Sequence, residues 1–309
     1  SESLEAMRRL CIPDIVERQS EIGAINPATW WSVEGHFFAK HAIESALWDI
    51  EARARGVSLS QLLGGTREQI RPGVVIGLAD TIDEVLNECV LRLNEGYQRL
   101  KIKIEPGRDS EVLRAVRACV GDDVVLQADA NGAYGSVDID ALSRLSEFNL
   151  QFIEQPFAAD DVQSHIQLSR VGAIAVCMDE SICSSADLEH MVSVGACSIV
   201  NVKPSRVGGI GEARVMHDIA HARGIDAWVG GMLETGIGRA SCLALASLPG
   251  FTLTPDLSAS KRYFARDITE PFVLHEGVIR VPTQPGIGVV PREDVLCDAS
   301  TVIETVYEQ

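Results

Sequence analysis

Five charged residues recur at one spacing along this 309-residue chain: Lys103, Asp129, Glu154, Asp179 and Lys203, with gaps of 26, 25, 25 and 24 residues (103→129→154→179→203). Each lies in the last part of a short strand-like run: Leu100–Ile104, Val124–Ala130, Gln151–Gln155, Ala175–Asp179 and Ser198–Lys203. A stretch with helical periodicity follows every run. About 25 residues make one strand plus one helix of a barrel of parallel strands, so residues at that interval land on neighbouring strand ends around one ring. Three carboxylates flanked by two amines on such a ring describe a site for a hard metal ion, with a base on either side.

The alternation extends beyond these five units. Val74–Leu78 reads as an earlier strand with helix Ile82–Glu95 behind it. The helices of the next units are Ser110–Cys119, Asp138–Glu147, Asp161–Arg170, Ala186–Val194 and Ile210–Arg223. Ala227–Gly230 is a seventh strand with helix Gly238–Leu248, and Thr252–Pro255 is an eighth short run. Strands alternating with helices imply a parallel sheet, and eight units imply closure into an α/β, (β/α)8-type barrel. An open doubly wound sheet would use fewer units, and would not carry functional side chains on five successive strands.

Residues 1–34 read as a helix (Leu4–Arg18) and a connection with Pro27, Trp30 and Trp31. Phe37–Arg55 is a strong helix. Its Phe38, Ala42, Ala46 and Ile50 share one stripe, with Ile43, Leu47 and Ala54 beside it, and Gly56 stops it. A short helix, Leu59–Leu63, ends at Gly64-Gly65. The tail from Ile268 changes character. Phe272–Leu274 and Val278–Val281 flank His275-Glu276-Gly277 as a hairpin, and Gly286-Ile287-Gly288 follows Pro285. This tail is expected to return to the N-terminal portion. Residues 1–70 and 266–309 would then form a second, α+β capping unit, with 71–265 as the barrel.

The balance of 27 Lys+Arg against 44 Asp+Glu gives a net charge of −17, which argues against nucleic acid or an anionic membrane surface as partner. No run approaches the roughly 18 apolar residues of a membrane span, and no signal peptide is visible, so a cytoplasmic protein is expected. The 8 cysteines are scattered without metal-type spacing, mostly in apolar surroundings, and read as free thiols.

Asp129 stands in Gln-Ala-Asp-Ala-Asn, Glu154 in Phe-Ile-Glu-Gln-Pro and Asp179 in Cys-Met-Asp-Glu-Ser. One such residue alone would read as an N-cap for the helix that follows. Three on adjacent strands would repel one another at a barrel mouth unless a cation neutralised them. Oxygen-only ligands favour Mg²⁺ or Mn²⁺ over Zn²⁺. Lys101 and Lys103 sit two apart on one strand and so share a face. Ile102 and Ile104 need burial under the outer helices, which turns the lysines inward. Lys203, before Pro204, ends a strand across the ring. A bound carboxylate substrate would lie with its α-carbon between the two amines, the metal stabilising the enolate and a lysine of lowered pKa serving as base.

The motifs Lys-Ile-Lys (101–103), Asp-Ala-Asn (129–131), Ile-Glu-Gln-Pro (153–156), Asp-Glu-Ser (179–181), Asn-Val-Lys-Pro-Ser-Arg-Val-Gly-Gly (201–209), Gly-Gly-Met-Leu-Glu-Thr-Gly-Ile-Gly-Arg (230–239) and Asp-Leu-Ser-Ala-Ser (256–260) cover much of the chain. Together they resemble the muconate-lactonising subgroup of the enolase superfamily, and within it the o-succinylbenzoate synthase / N-acylamino acid racemase family. The resemblance implies a modified barrel, (β/α)7β, and a site pairing a lysine base with Mg²⁺. It implies Asp129, Glu154 and Asp179 as metal ligands and Lys103 and Lys203 as the acid/base pair. Lys101 would orient or neutralise the substrate carboxylate, with Asn131 and Glu180 in support. Gly231, Met232 and Ile237 would line the substrate side-chain pocket. Relatives carry further N-terminal strands that complete the cap, so the cap reads here as N-terminally incomplete. Apolar faces left on helix Phe37–Arg55 and hairpin Phe272–Val281 would invite self-association into a homo-oligomer. Where relatives often carry a small hydroxyl on the first barrel strand, this chain has Val75.

The expected reaction is syn dehydration to o-succinylbenzoate in menaquinone biosynthesis. N-succinylamino acid racemisation is the alternative. Dipeptide epimerases carry an Asp-x-Asp pair on the eighth strand, where Thr254-Pro255-Asp256 offers one acid. A non-catalytic scaffold is the reading from another class, and the intact metal and lysine set speaks against it. His217 and His221, four apart on a helix, have zinc-compatible spacing but no third ligand, and read as a solvated helix face. Gly236-Ile237-Gly238 echoes a dinucleotide fingerprint without its acidic partner, and is set aside.

Overall fold

The computed structural model describes residues 2–17 and 32–299. The N-terminal segment is helical: α1 (Glu2–Ala6), a wider π-turn over Met7–Cys11, then α2 (Ile12–Glu17). Pro13 follows the wider turn; its ring crowds the carbonyl four residues back and it has no N–H to donate. The connection with Pro27, Trp30 and Trp31, and the end of the expected Leu4–Arg18 helix, lie outside the described residues. Next come α3 (Phe37–Ala54), α4 (Leu59–Leu63) and β1 (Gln69–Ile70).

The alternating units follow as β2 (Val74–Ile76), α5 (Ile82–Asn94), β3 (Arg99–Lys103), α6 (Asp109–Val120), β4 (Val125–Asp129) and α7 (Ile139–Arg144). They continue as β5 (Leu150–Glu154), α8 (Val162–Val171), β6 (Val176–Met178), α9 (Ser185–Ser193) and β7 (Ile199–Val202). After β7 come α10 (Pro204–Val207), α11 (Ile210–Arg223), β8 (Asp226–Val229) and α12 (Gly236–Ala246). The described residues end in β9 (Ile279–Arg280) and α13 (Glu293–Ala299). Short polar side chains start several of the helices. Thr81 and Glu84 form a reciprocal capping box on α5, Asp161 accepts the Ser164 N–H at 3.0 Å on α8, and Ser184 accepts the Asp187 N–H at 3.1 Å on α9.

Strands β2 to β8 form one parallel sheet in sequence order. Register partners across a parallel sheet share a face. Ile102, Ala128 and Ile153 are aligned and buried on the outer face, beneath the helices. Lys103, Asp129 and Glu154 are aligned one position on, and point the other way. Deeper inside, Phe152, Cys177, Ile199 and Trp228 pack as a separate apolar layer, with the Phe152 and Trp228 rings 5.9 Å apart. Each such buried side chain contributes roughly 1.5–3 kcal/mol, and together they close the interior beneath the charged residues.

The expected eighth run is not a regular strand. The Thr252 and Leu253 N–H groups both donate to the Ala227 carbonyl, at 2.9 and 3.2 Å. Asp256 N–H donates to Val229 O at 3.1 Å, and on the other side Gly73 N–H donates to Pro255 O at 2.8 Å. The segment thus bridges β8 and the approach to β2. Two donors on one acceptor shift the register, and Pro255 has no N–H for a ladder.

Helix α3 departs from the expected stripe. Phe38, Ala42, Ala46 and Ile50 are exposed, and the buried residues are Ala39, Lys40, Glu44, Trp48 and Ala52. Two charged residues at the buried spacing hid the inward face. The tail does turn at His275–Val278, which exchange backbone bonds of 2.9 and 3.0 Å around Glu276 (φ 51°) and Gly277 (φ 77°), both left-handed as a type I′ turn requires. Strand β9 pairs antiparallel with β1. Gly286 accepts from Leu59 N–H at 2.7 Å and donates to Val57 O at 3.0 Å, and Ile287 N–H donates to Asp49 at 2.7 Å. All 8 cysteines are free. No helix among the described residues is long and apolar enough to cross a membrane.

Candidate active site

Strands β3 to β7 deliver the five recurring residues to one end of the sheet. Lys103 Nζ lies 2.7 Å from Asp129 Oδ2 and also contacts Asn131 Oδ1. Lys203 Nζ lies 2.6 Å from Asp179 Oδ2, whose other oxygen meets Arg206 Nη1. Glu154, between the two, accepts from Lys101 Nζ at 2.7 Å and from Asn201 Nδ2 at 2.7 Å. Lys101 also reaches Asp129 at 3.1 Å and Asp256 at 2.7 Å, and its ammonium sits 4.9 Å from the Trp228 ring centre. Asn131 Nδ2 donates to Glu180 Oε1 at 2.9 Å.

Local backbone serves this geometry. Asn131 (φ 44°) and Gln155 (φ 39°) are left-handed non-glycine residues just past β4 and β5. Asn131 N–H turns back onto Asp129 Oδ1 at 3.2 Å, a local bond that offsets part of that strain. Gln155 is buried. Its Oε1 accepts from Asp179 N–H at 3.0 Å and Ser181 N–H at 3.1 Å, which ties the ends of β5 and β6 together. Gly230 has no room for a side chain, because Asn201 and Lys203 occupy the space. Gly231 likewise lies against the Asp256 carbonyl. Met232 and Leu233 are exposed, and Ile237 is half-buried in the first turn of α12.

Burial weakens the charge on Lys101, yet Asp256, Glu154 and Asp129 outweigh it and hold its pKa well above the ordinary value. Burial also opposes ionisation of Asp129, but Lys101 and Lys103 win and pull its pKa down. Glu154 is pushed up by burial and by the Asp129 carboxylate, against the pull of Lys101 and Lys203. Like-charge repulsion is therefore felt inside the row.

Among the described residues, no three metal-ligating side chains converge as a preformed cation site; each carboxylate is turned to an ammonium or guanidinium. The donor set itself suits a hard dication. Asp129, Glu154 and Asp179 are buried, all-oxygen and at the ends of consecutive strands, and Asp179 Oδ1 is without a hydrogen-bond donor despite its ionic contact.

Arg99, Asn201, Arg206 and Asp256 belong to this network and escape the spacing argument. Arg99 contacts Asp256 Oδ1 and donates to Thr254 O at 2.8 Å, sealing the gap beside the irregular segment. Arg99 and Asn201 each lie two residues before an inward lysine, so strand period alone could have found them. The single acid of Thr254-Pro255-Asp256 is spent on Arg99 and Lys101. His217 is buried rather than solvated; its Nε2 accepts the Gly250 N–H at 2.8 Å, a structural role.

A parallel barrel with lysines and carboxylates gathered at the C-terminal ends of its strands is the architecture of an enzyme. Residues 84–295 match the family model for the enolase C-terminal domain-like fold, and 8–64 that of the mandelate racemase / muconate lactonizing enzyme N-terminal domain. The chain belongs to the enolase superfamily, in its mandelate racemase / muconate-lactonising branch. It is 46% identical over 295 residues to an N-succinylamino acid racemase of an Amycolatopsis species, covering 96% of this chain and 80% of the relative. It is 44% identical over 294 residues to the o-succinylbenzoate synthase of Bacillus subtilis (strain 168), covering 95% and 79%. A solved enolase-superfamily structure from Enterococcus faecalis V583 matches with TM-score 0.88 at 37% identity, covering 96% of this chain and 80% of that one.

Proposed function

We propose that this enzyme removes the proton α to a carboxylate, and that its reaction is the syn dehydration that yields o-succinylbenzoate, a step toward menaquinone. One observation carries the reading: Lys103 on β3 and Lys203 just past β7 stand with the carboxylate row at the ends of β4 to β6 between them, each lysine engaged with one of its members. Lys103 takes the α-proton and gives it to the departing hydroxyl on the same face, so that water leaves. The ammonium of Lys203 faces the negative charge that builds on the substrate. Lys101, kept protonated by its neighbours, supplies fixed positive charge for the substrate carboxylate. Asn131 and Glu180 steady the Lys103 side. Gly231, Met232 and Ile237 border the space for the substrate's distal part. Asp129, Glu154 and Asp179 would hold Mg²⁺, or Mn²⁺ in its place, whose charge stabilises the electron-rich carboxylate of the reacting substrate.

Racemisation of N-succinyl amino acids is the second reading, supported by the Amycolatopsis relative's name and by the even pairing of the two lysines. One lysine would then remove the proton and the other deliver it to the opposite face. One preparation assayed on both substrates, with N-succinyl amino acids followed in D₂O, separates the two. With two independent bases, Lys103→Ala exchanges the α-proton of one enantiomer and Lys203→Ala that of the other. Loss of both exchanges in each variant favours dehydration alone. An unaltered protein that turns over neither substrate and exchanges neither enantiomer overturns the whole proposal.

A further inference from the structure

Helix α11 is capped by a residue from a distant part of the chain. Gly209, which precedes its first residue, has no side chain to give its open N–H groups. Glu44 of α3 supplies the acceptor instead: its Oε1 takes the Gly211 N–H at 2.7 Å and the Trp48 Nε1–H at 2.9 Å. A Cβ on Gly209 would fall on this carboxylate. Glu44 is 2% exposed, so the contact is sealed from water.

The segment that Glu44 anchors begins at Lys203. Lys203 is itself the residue before α10, and its carbonyl accepts from Arg206 and Val207 N–H at 2.9 and 3.2 Å. Gly208 (φ 91°) then turns the chain, with the Phe37 ring of α3 3.1 Å from where its Cβ would be. From Lys203 to Gly211 the chain is therefore fixed at two points, by Asp179 on the barrel side and by Glu44 on the α3 side.

We infer that Glu44 is a positioning residue for Lys203, coupling α3 to one of the two proton-transfer groups and leaving the other alone. Lys103, on β3, makes no hydrogen bond or ion pair to α3 among the described residues; its partners are Asp129 and Asn131. The inference rests on the racemase reading, in which Lys203 itself transfers a proton. The test is exchange of each enantiomer of an N-succinyl amino acid in D₂O by the full chain with Mg²⁺ present. In Glu44→Ala, the exchange that Lys203→Ala abolishes should fall at least tenfold relative to the exchange that Lys103→Ala abolishes. Glu44→Gln, which keeps the Oε1 acceptor, should restore most of it. Where Glu44→Ala does not fold, Gly209→Ala dislodges the same contact from the barrel side and should give the same one-sided loss. Equal loss on both faces, or no loss in a folded variant, overturns the assignment to Glu44. An unaltered protein that exchanges neither enantiomer, or lysine variants that each lose both exchanges, sinks the underlying reading of Lys203, and the inference with it.

Discussion

Asp129, Glu154 and Asp179 each meet at least one cationic side chain, and Glu154 is strained further by the negative neighbour on β4. On the proposal that this row holds a cation, removing one negative charge weakens that hold. Asp129→Asn, Glu154→Gln and Asp179→Asn should therefore each lower kcat by at least 10²–10³-fold, the usual effect of deleting one electrostatic stabiliser of a transition state. Steady-state rates checked before and after exhaustive chelation test this, and near-normal turnover without divalent ions would contradict it. These residues were legible in the sequence because each closes a strand at one repeat interval. Asp256 and Arg206 were not, since their roles depend on which side chain the fold brings opposite: Lys101 and Arg99 for one, Asp179 for the other.

Between helices, the informative case is α3. Its sequence offers an apolar stripe through Phe38 and Ile50, yet these are 49% and 59% exposed while Glu44 and Trp48 go inside. Periodicity weighs residues by polarity and cannot see that a distant helix end will need an acceptor. Burial pushes the Glu44 carboxyl up from 4.5 to about 7, eased by the Gly211 and Trp48 donors and reinforced by Glu212 on α11. The sign follows from proton binding. Between pH 4.5 and 7 the folded state holds this proton and the unfolded state has lost it, so stability falls as pH rises through that window and levels off above it. The full fall is about 3 kcal/mol at 1.4 kcal/mol per pH unit. Glu44→Gln removes the ionisation and should gain on the unaltered protein by about that much from pH 4.5 to 7.5. Urea unfolding of both at each end of the range measures it; a constant difference would show that Glu44 ionises as freely folded as unfolded.

At the scale of the molecule, the segment after α3 is tied by backbone bonds to the segment after β9. Gly286 sits in a left-handed conformation (φ 82°) where a Cβ would collide with Asp49, and it bonds to both Val57 and Leu59. Gly286→Ala should cost about 1–3 kcal/mol. In a chain of this size that is a fall in Tm of several degrees. The site lies on β3 to β7, so kcat should hold; a scan of Tm beside a rate assay checks both. The barrel was readable from the repeat of strand and helix. The eighth run was only half readable: its length and place suit a strand, but Pro255 and the doubled bond to Ala227 deny it a ladder.

That irregular eighth segment decides where this chain can change length. One residue inserted within β4 would reverse the facing of every position beyond it and carry Asp129 to the outer side of the sheet. One residue inserted between Pro249 and Thr252 shifts no strand pairing, because the closure there rests on a few single bonds and on Arg99 reaching Thr254 and Asp256. The perimeter of the barrel is therefore elastic at this joint, and insertions and deletions arising over evolutionary time should collect there, where no strand pairing has to shift.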